Sequence, residues 1–546
     1  MRAADLIVRC LEAHGIKRVY CVPGESYLAL LDALYGSSIE IIVCRHESGA
    51  GFMAVAEARL TGKPGVFLVS RGPGATNGSI AVHVAEQDAT PVLLIIGQVS
   101  RAERGRGAFQ EVDYGQFFGG MAKEIFEIHD GNKTGEIVTR SLRLASEGKP
   151  GPVIISLPED VLNDEAGETV PSPFPLAVAH HNAGDITAIQ AMIEEAHSPI
   201  VVAGAMLRGL RGAAALSRFA EALRIPVAVT WKNQDIFDNG SALYAGHLGF
   251  GNPPKHRQVL ANADLIIAVG TRLGDVASLN YTFPTAPEPK QKLIHIYPDG
   301  EPIGKIFRTD FGLIADPAAV LSDLASHPRV VSSARESWSS SINDFVREFQ
   351  RFTSPEPNDA VDFGKVVVSL AAQAPDNAVI TTDAGNMSTW VHRHWIMTPK
   401  NVLLGAIAGA MGFGVPTAVA AAIIDGSRMA ITFVGDGGML MTGQELATAV
   451  QYGAKPKIVI SDNGIYGTIR THQEKHYPNR VSGTDLVNPD FTLWAKSFGV
   501  FTVTITLGDD IDAKVKEFLD HDGASVLHVK SSKEALSAFT TLSGLS

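Results

Sequence analysis

The stretch from Met429 to Gly467 constrains the fold of this chain more than any other. It opens with an apolar run, MAITFV, whose length and β-branched residues predict a buried strand. The run ends at GDGG, a helical pattern follows, and a second strand pattern, KIVIS, leads to Asn463. Strand, helix and strand in this order predict a parallel crossover, so we expect Asp436 and Asn463 to meet at the carboxyl edge of one sheet.

The chemistry of this pair indicates a cation site. Asp436 and Asn463 are 463 − 436 = 27 residues apart, which is enough for one crossover. A carboxylate and an amide oxygen beside bare glycine backbone suit a small hard cation that keeps phosphate oxygens as its other ligands. A GDG turn alone is more often structural, because short motifs match by chance. The asparagine at crossover distance favours Mg²⁺ clamping a diphosphate.

Short apolar strand patterns alternate with helical patterns in three sets along the chain. Such alternation predicts an α/β fold of three doubly wound parallel-sheet domains. Two segments without periodicity separate the sets and are predicted to be linkers, residues 163–185 and residues 352–359. The predicted domains are residues 1–165, 186–335 and 356–546.

Composition argues against several classes of partner. The net charge is −12 without a long basic run, which disfavours nucleic acid and an anionic membrane. Three cysteines in no metal-type spacing disfavour a disulfide framework and indicate a reducing, cytoplasmic location. Residues 402–424 carry no charge and are long enough to cross a bilayer. Their glycines and strand-like flanks favour a glycine-rich loop running into a buried helix.

With GDG followed at this distance by asparagine, the chain resembles the thiamine-diphosphate enzymes. The resemblance covers nearly the whole chain and includes RHESGAGFMAVAEARLTGKPGV, GPGATNG, AFQEVD and GKPGPVIISLPEDV. These segments are similar to the acetolactate synthase branch, that is, the acetohydroxyacid synthase large subunit. The resemblance implies pyrimidine-binding, central and diphosphate-binding domains in that order, with thiamine diphosphate and Mg²⁺ as cofactors.

The resemblance also implies the metal ligands and the activating acid. Asp436, Asn463 and the main chain of Ile465 would hold Mg²⁺. Glu47, among small apolar neighbours where a strand pattern ends and a helix pattern opens, would exchange a proton with the aminopyrimidine ring of the cofactor. A lone glutamate in a first helical turn would favour a structural role beside the helix dipole. The matching segment around Glu47 favours the catalytic role.

Further cofactor contacts are implied, most of them through glycine backbone. Met411, within GAIAGAMGFGVP, would wedge under the cofactor and hold its two rings in a V, a task that suits a bulky, unbranched side chain. For Asn386, a helix cap is an equal alternative. The implied cofactor-binding residues are Pro23, Gly24, Glu47, Asn77, Gly385, Asn386, Gly409, Met411, Gly435, Gly437, Gly438, Gly464, Tyr466 and Gly467.

Positions in two loops bear on the substrate. Phe109 and Gln110 are similar to the pair that lines the substrate channel of acetolactate synthases, where Gln110 would donate a hydrogen bond to a substrate oxygen. His472 stands where those enzymes usually have tryptophan, and Thr468 where they usually have methionine, so the pocket is predicted to be more polar. His472 would then take part in proton transfer, or it is an exposed loop histidine.

Many acetolactate synthases bind FAD in the central domain. The matching stretch here, GTRLGDVASLN, keeps Arg272 and Asp275 but has Val276 in place of an arginine. This departure favours a central domain without FAD, while the two retained residues leave FAD open.

The implied activity is that of a carboligase or lyase, which decarboxylates a 2-oxo acid and joins the remaining fragment to a second carbonyl of an aldehyde or ketone. The alternatives are a non-ligating decarboxylase, an acyl-coenzyme A lyase, a flavin-linked oxidase and a catalytically silent binding protein. By the same resemblance we expect a homodimer or homotetramer with sites at the subunit interface. Each site would take Glu47 from one chain and the metal ligands from another.

Overall fold

The computed structural model describes residues 1–173, 175–326 and 333–545. Residues 327–332, inside the predicted central domain, lie outside this description. The chain divides into two compact units. The first contains residues 1–176, 379–385 and 404–533, and the second contains residues 177–378, 386–403 and 534–546.

The first sheet lies in the first unit and is wholly parallel. Its strands are β1 (Arg18–Cys21), β2 (Glu40–Val43), β3 (Gly65–Val69), β4 (Val92–Gln98), β5 (Glu124–Glu127) and β6 (Pro152–Pro158). They are arranged in the order β2-β1-β3-β4-β6-β5. The accompanying helices are α1 (Ala3–Ala13), α2 (Leu28–Leu34), α3 (Glu47–Thr61), α4 (Gly72–Gln87), α5 (Tyr114–Phe118) and α6 (Thr134–Ser146). Strands β4 and β6 are buried along their whole length, as strands are when helices cover both faces.

The second sheet lies in the second unit and is also parallel. Its strands are β7 (Pro199–Ala203), β8 (Val227–Thr230), β9 (Tyr244–Leu248), β10 (Leu265–Val269), β11 (Lys292–Tyr297) and β12 (Phe311–Ile314). They are arranged in the order β12-β11-β10-β7-β8-β9. The accompanying helices are α7 (Ala183–Glu195), α8 (Leu210–Leu223), α9 (Pro254–Leu260), α10 (Pro317–Ser326) and α11 (Ser333–Gln350).

The third sheet completes the set with the same parallel arrangement. Its strands are β13 (Val379–Thr382), β14 (Val402–Gly405), β15 (Ala430–Gly435), β16 (Lys457–Asp462), β17 (Phe501–Ile505) and β18 (Ser525–Lys530). They are arranged in the order β14-β13-β15-β16-β18-β17. Along this part of the chain the helices are α12 (Phe363–Gln373), α13 (Ser388–His394), α14 (Gly414–Ile424), α15 (Asp436–Thr442), α16 (Leu446–Gln451), α17 (Gly467–His476), α18 (Phe491–Lys496) and α19 (Ile511–Asp520). Helices α12 and α13 belong to the second unit.

Small residues set the packing of α3. The helix ends where Gly62 takes the left-handed conformation, with φ of 71°. Within the helix, a Cβ on Gly51 would lie only 2.3 Å from the Cβ of Ala81 in α4. Glycine at this position therefore lets α3 and α4 pack closely.

The predicted α/β fold of three doubly wound parallel sheets is confirmed. The charge-free residues 402–424 form β14, a glycine-rich loop and α14, as predicted. Across the described residues, no helix combines the length and the apolar character needed to cross a membrane. The crossover between β15 and β16 differs from the prediction of one helix: it consists of α15, a 3₁₀ turn (Gly443–Glu445) and α16. Glycines near its start and middle weaken a continuous helix.

Candidate active site

Asp436 lies at the carboxyl edge of the third sheet. Strands β15 and β16 pair in parallel with Gly435 opposite Ser461, so the loops that follow them are neighbours. Asp436 begins α15 and is only 3% exposed. Its carboxylate accepts hydrogen bonds from the backbone N–H of Gly437 (2.9 Å) and of Gly464 (2.8 Å). The predicted meeting of the GDG turn and the Asn463 turn therefore occurs.

The surroundings of Asp436 suit a cation. Burial raises the pKa of Asp436, while hydrogen bonds from Asn488, Gly437 and Gly464 oppose the shift. These donors are all uncharged, so they do not neutralise a buried carboxylate, which is costly to leave unpaired. Among the described residues, no cluster of three His, Cys, Asp or Glu side chains holds a metal by itself. A cation at Asp436 would therefore rely on amide, backbone and phosphate oxygens.

Asn488 links Asp436 to a second buried carboxylate. Its Nδ2 donates to Asp436 Oδ2 and to Asp462 Oδ1, both at 2.8 Å. Asp462 Oδ2 contacts His528 Nε2 at 2.8 Å and accepts from Lys530 Nζ at 2.7 Å. Burial alone would raise the pKa of Asp462, but the hydrogen bonds from His528, Lys530 and Asn488 lower it on balance. The sequence offered no signal for Asn488, which lies in a loop far from the motif.

The turn after β16 presents the other predicted metal ligands. Asn463 is half-buried, and its Oδ1 lies 3.2 Å from the backbone N–H of Ile465. Gly464 takes the left-handed conformation (φ 65°), which aims its N–H at Asp436. A Cβ on Gly437 would stand 2.5 Å from the ring of Tyr466, so the two predicted cofactor contacts pack against each other. Gly467 then begins α17.

A buried aspartate shapes the glycine loop that carries Met411. Asp383 follows β13, is fully buried, and accepts the N–H of Gly412 with both carboxylate oxygens at 2.9 Å. The carbonyl of Gly412 in turn accepts from the hydroxyl of Thr442 at 2.7 Å. Met411 is half-buried beside this anchored residue. Sequence reasoning assigned Asp383 no role, although a carboxylate at a strand end before a glycine-rich segment was an available signal.

Three further predicted cofactor contacts in this region are glycines, namely Gly435, Gly438 and Gly409. A Cβ on Gly438 would stand 3.1 Å from Asp383 Oδ2, so glycine permits the close approach. Gly435 caps α15 with extended backbone. Gly409 has φ of 71°, and no described atom lies within 4 Å of where its Cβ would be. The backbone of Gly409 is therefore open to a ligand.

Glu47 opens α3 at the carboxyl edge of the first sheet. Its Oε2 accepts a hydrogen bond of 2.9 Å from the side-chain amide of Asn77 in α4, so two predicted residues meet. A Cβ on Gly74 would lie 3.3 Å from Glu47 Oε1. Glu47 as a residue is half-buried, and the partner of its carboxyl group is an amide. The structure thus differs from the expected apolar surroundings, because α4 presents a polar side chain here.

The predicted contacts Pro23 and Gly24 lie in the loop after β1. Gly24 is extended, and a Cβ there would stand 2.6 Å from the Cβ of Ser70, which follows β3. The hydroxyl of Tyr27 donates to the carbonyl of Val22 and fixes the start of this loop. The loop therefore lies beside the strand end that leads into α4.

Gln110 sits in a loop held by charged side chains. Arg104 donates to Glu111 Oε1 (2.8 Å) and Glu127 Oε1 (2.9 Å). The carbonyl of Gln110 accepts the N–H of Gly72 at the start of α4, at 3.1 Å. Phe109 beside it is 75% exposed. A substrate role of Gln110 remains a prediction.

His472 is exposed and lies in the helix α17, whereas a loop was predicted here. Its ring stacks on that of His476, with centroids 6.2 Å apart. In the second unit, Asn386 accepts the N–H of Thr389 through its carbonyl. Gly385, which ends a segment of the first unit, has φ of 143°, a conformation that favours glycine. The functions of these residues also remain predictions.

Within the first unit, the predicted residues form two groups. One contains Glu47 and Asn77, and the other contains Asp436, Gly464 and their hydrogen-bond partners. Among the described hydrogen bonds, none of those cited for Glu47 and Asn77 involves a residue of the Asp436 group. Each group lies at the carboxyl edge of its own parallel sheet, where such sheets bind ligands.

Three family models match the chain in the order of its three sheets. Residues 1–117 match the thiamine pyrophosphate enzyme N-terminal TPP binding domain, residues 186–324 its central domain, and residues 383–529 its C-terminal TPP binding domain. The chain belongs to the thiamine pyrophosphate enzyme family. In this thiamine pyrophosphate enzyme, Glu47 and Asn77 lie within the matched N-terminal domain, and Asp436 and Gly464 lie within the matched C-terminal domain. Thiamine pyrophosphate and thiamine diphosphate are the same molecule.

Relatives of this thiamine pyrophosphate enzyme align along most of its length. It is 32% identical to the acetolactate synthase large subunit of Parasynechococcus marenigrum, covering 92% of this chain and 83% of that one. It is 31% identical to the acetolactate synthase isozyme 2 large subunit of Escherichia coli, over 97% and 95%. It is 32% identical to the probable acetolactate synthase large subunit of Methanocaldococcus jannaschii, over 95% and 90%. The chain is a thiamine-diphosphate-dependent enzyme of the acetolactate synthase-like branch.

Proposed function

We propose that this enzyme decarboxylates a 2-oxo acid and joins the remaining fragment to a second carbonyl compound. The observation that carries the proposal is the buried Asp436 carboxylate bonded to the turn of Asn463 and Gly464 at a sheet edge. This donor set, with glycine backbone around it, fits a cation and a diphosphate. The acetolactate synthase relatives support ligation rather than simple decarboxylation.

Each group of residues then has a task. Bound thiamine diphosphate supplies a carbon centre that holds the electron pair left when carbon dioxide departs. Glu47 holds and exchanges a proton at its carboxyl group, and Asn77 orients that carboxyl through its amide. Asp383 fixes the loop of Gly409 and Met411, whose backbone and side chain would support the cofactor rings.

We propose Mg²⁺ as the cation, bound by Asp436, by the side chain of Asn463 and by the carbonyl of Ile465. Its charge would balance the buried Asp436 carboxylate, which the described donors do not. Mg²⁺ binds few protein ligands and keeps phosphate oxygens, which matches a site with one carboxylate.

We propose that the central domain works without FAD. Val276 lines a cavity of about 230 Å³ together with Phe250, Asn252 and Arg257. Pockets for drug-sized ligands measure roughly 300–1,000 Å³, so the small volume of this cavity supports a central domain without FAD. No step of the proposed reaction uses FAD.

We propose that sites form between two copies of the chain, in a homodimer or a homotetramer. Leu440 and Met441, on the helix that Asp436 opens, are 49% and 45% exposed, and Ile80, beside Asn77 on α4, is 38% exposed. Exposed apolar side chains beside both groups are typical of a surface that another subunit covers. We also propose a cytoplasmic location, which the three free and buried cysteines support.

Incubation with pyruvate, thiamine diphosphate and Mg²⁺ tests the function, with products separated by chromatography. We expect acetolactate. Acetaldehyde alone would instead favour a simple decarboxylase in which the exposed His472 supplies a proton. Neither product would mean that the donor is another compound, such as an aromatic 2-oxo acid or an acyl-coenzyme A. A purified protein with flavin absorbance would contradict the proposal on FAD.

A further inference from the structure

A fully buried glutamate in the crossover between β15 and β16 holds the chain directly before Glu47. Glu445 ends the 3₁₀ turn after α15 and has no exposed surface. Its Oε1 accepts the backbone N–H of Arg45 and that of His46, each at 3.0 Å. Its Oε2 accepts the hydroxyl of Thr448 at 2.6 Å and also lies 3.2 Å from the N–H of Arg45. Hydrogen bonds from several donors to one carboxylate are strong and fix geometry.

The helix that carries Glu47 is shaped to receive this carboxylate. Gly49 lies in the first turn of α3, and a Cβ there would stand only 2.4 Å from Glu445 Oε1. Glycine costs helix stability relative to alanine, so its presence here has a local reason. The close approach of Glu445 provides that reason.

A second anchor lies at the other end of the same short segment. The hydroxyl of Tyr452 accepts the N–H of Val43 at 2.7 Å and donates to the carbonyl of Ile41 at 2.9 Å. Arg45 Nη2 donates to Gln451 Oε1 at 2.6 Å. Residues 445–452 therefore clamp residues 41–46, which are the end of β2 and its junction with α3.

The clamp is continuous with the predicted metal site. Asp436 begins α15, and Glu445 ends the 3₁₀ turn that follows it. At the end of α15, the hydroxyl of Thr442 donates to the carbonyl of Gly412, in the loop that carries Met411. One short segment thus contains the predicted cation ligand and contacts both the glycine loop and the junction before Glu47.

We propose that Glu445 is a positioning residue for Glu47, which fixes the β2–α3 junction and thereby sets where the Glu47 carboxyl group stands. The inference rests on the proposed function, because it assigns Glu47 the proton exchange with the cofactor. Glu445 itself touches backbone and the Thr448 hydroxyl, so its effect on the reaction passes through Glu47. Displacement of a catalytic group by about 1 Å can cost roughly 100-fold in rate.

Three variants separate positioning from folding. Glu445→Ala removes both acceptors, whereas Glu445→Gln keeps one oxygen for the two N–H groups and offers its amide to Thr448. Glu57→Gln is the matched control, since Glu57 is also buried in α3 but bonds to Tyr20 at the far end of the helix. The readout is exchange of the thiazolium C2 proton of thiamine diphosphate for deuterium, followed by NMR with Mg²⁺ present. We expect exchange slowed roughly 10- to 100-fold in Glu445→Ala, largely restored in Glu445→Gln, and unchanged in Glu57→Gln.

Amide hydrogen exchange of residues 43–48, measured without cofactor, tests independently of the reaction whether Glu445 holds this segment in place. Faster exchange in Glu445→Ala than in Glu57→Gln supports the proposal, and equal exchange overturns it. C2 exchange in Glu445→Ala at the wild-type rate would also overturn it, as would a loss of equal size in Glu57→Gln. If the wild-type enzyme itself fails to exchange the C2 proton, the proposed function falls, while the amide measurement still judges the clamp.

Discussion

Asp383 accepts the backbone N–H of Gly412 with both of its carboxylate oxygens, each at 2.9 Å. This pairing joins the end of β13 to the loop that carries Met411. Because the aspartate is fully buried, its hydrogen bonds are not exchanged for water. The shape of the glycine loop thus depends on one carboxylate.

Asp383→Asn tests this dependence. The side-chain amide of the new asparagine would place an NH₂ group, which is a donor, where one carboxylate oxygen accepted the N–H of Gly412. Loss of a hydrogen bond to a charged group costs about 1.5–3 kcal/mol. We expect thiamine diphosphate affinity, measured by fluorescence quenching with Mg²⁺ present, to fall by about 10-fold or more. Asp376→Asn, an exposed carboxylate paired with Lys400, is the control. Unchanged affinity in Asp383→Asn would show that the loop keeps its shape without the carboxylate.

Asn77 offers a test of how the Glu47 carboxyl is oriented. Asn77→Ala removes the hydrogen bond to Glu47, and we expect kcat to fall about 5-fold, in line with loss of one hydrogen bond of about 1 kcal/mol. Asn77→Asp places a second carboxylate there, and repulsion should lower kcat further. Ser79→Ala, on the same helix, is the control because Ser79 bonds to the carbonyl of Thr76. An Asn77→Asp enzyme as active as wild type would rule out this orienting role.

Mixing two inactive variants tests whether each site draws on two chains. Glu47→Gln and Asp436→Asn should each lower kcat by at least about 100-fold, because one loses the proton-exchanging acid and the other a cation ligand. After the two proteins are unfolded together and refolded as an equal mixture, we expect about a quarter of wild-type activity, since heterodimers contain one intact site. Each variant refolded alone provides the baseline. If the mixture stays at that baseline, Glu47 and Asp436 of the same chain form the site.

Acid should destabilise the second unit through buried histidines. Burial lowers the pKa of His256 from 6.5 to about 4. Its Nε2 contacts the carbonyl of Ala245 at 2.9 Å and its Nδ1 contacts Asn252 Nδ2 at 2.6 Å, so protonation would set two donors against each other. The unfolded chain binds the proton more readily, and therefore stability present above pH 6.5 is lost as the pH falls from 6.5 towards 4.

Urea unfolding at pH 7.5 and pH 5.0 measures this loss. His256 alone should account for about 2 kcal/mol of the difference in unfolding free energy between the two conditions. We expect the difference to shrink by this amount in His256→Gln, which keeps a donor and an acceptor but does not titrate. His476→Gln, at an exposed position, is the control. An unchanged difference in His256→Gln would exclude His256 as the source.

The sequence allowed three features to be predicted: the strands, their alternation with helices along the chain, and the meeting of the GDG turn with the Asn463 turn at one sheet edge. Each of these features depends on neighbours in the chain: apolar runs mark buried strands, and one parallel crossover suffices to bring Asp436 beside Gly464. The break of the crossover helix near Gly443 was not predicted, because helix propensity competes there with packing: a Cβ on Gly443 would stand 2.6 Å from the ring of Trp494.

The residues that sequence reasoning missed act across long separations. Glu445 bonds to His46, 445 − 46 = 399 residues earlier, and Asn488 joins two carboxylates from a loop without a motif. Local patterns carry no record of such contacts, which depend on how whole sheets are placed. The contact between Asn77 and Glu47 is of the same kind, since Asn77 reaches Glu47 from a different helix.

The hydroxyl of Tyr452 also has a protective effect. Strand β2 is an outermost strand of the first sheet, and its free backbone groups could recruit a strand from another molecule. By occupying the N–H of Val43 and the carbonyl of Ile41, the tyrosine blocks those positions against edge-to-edge aggregation.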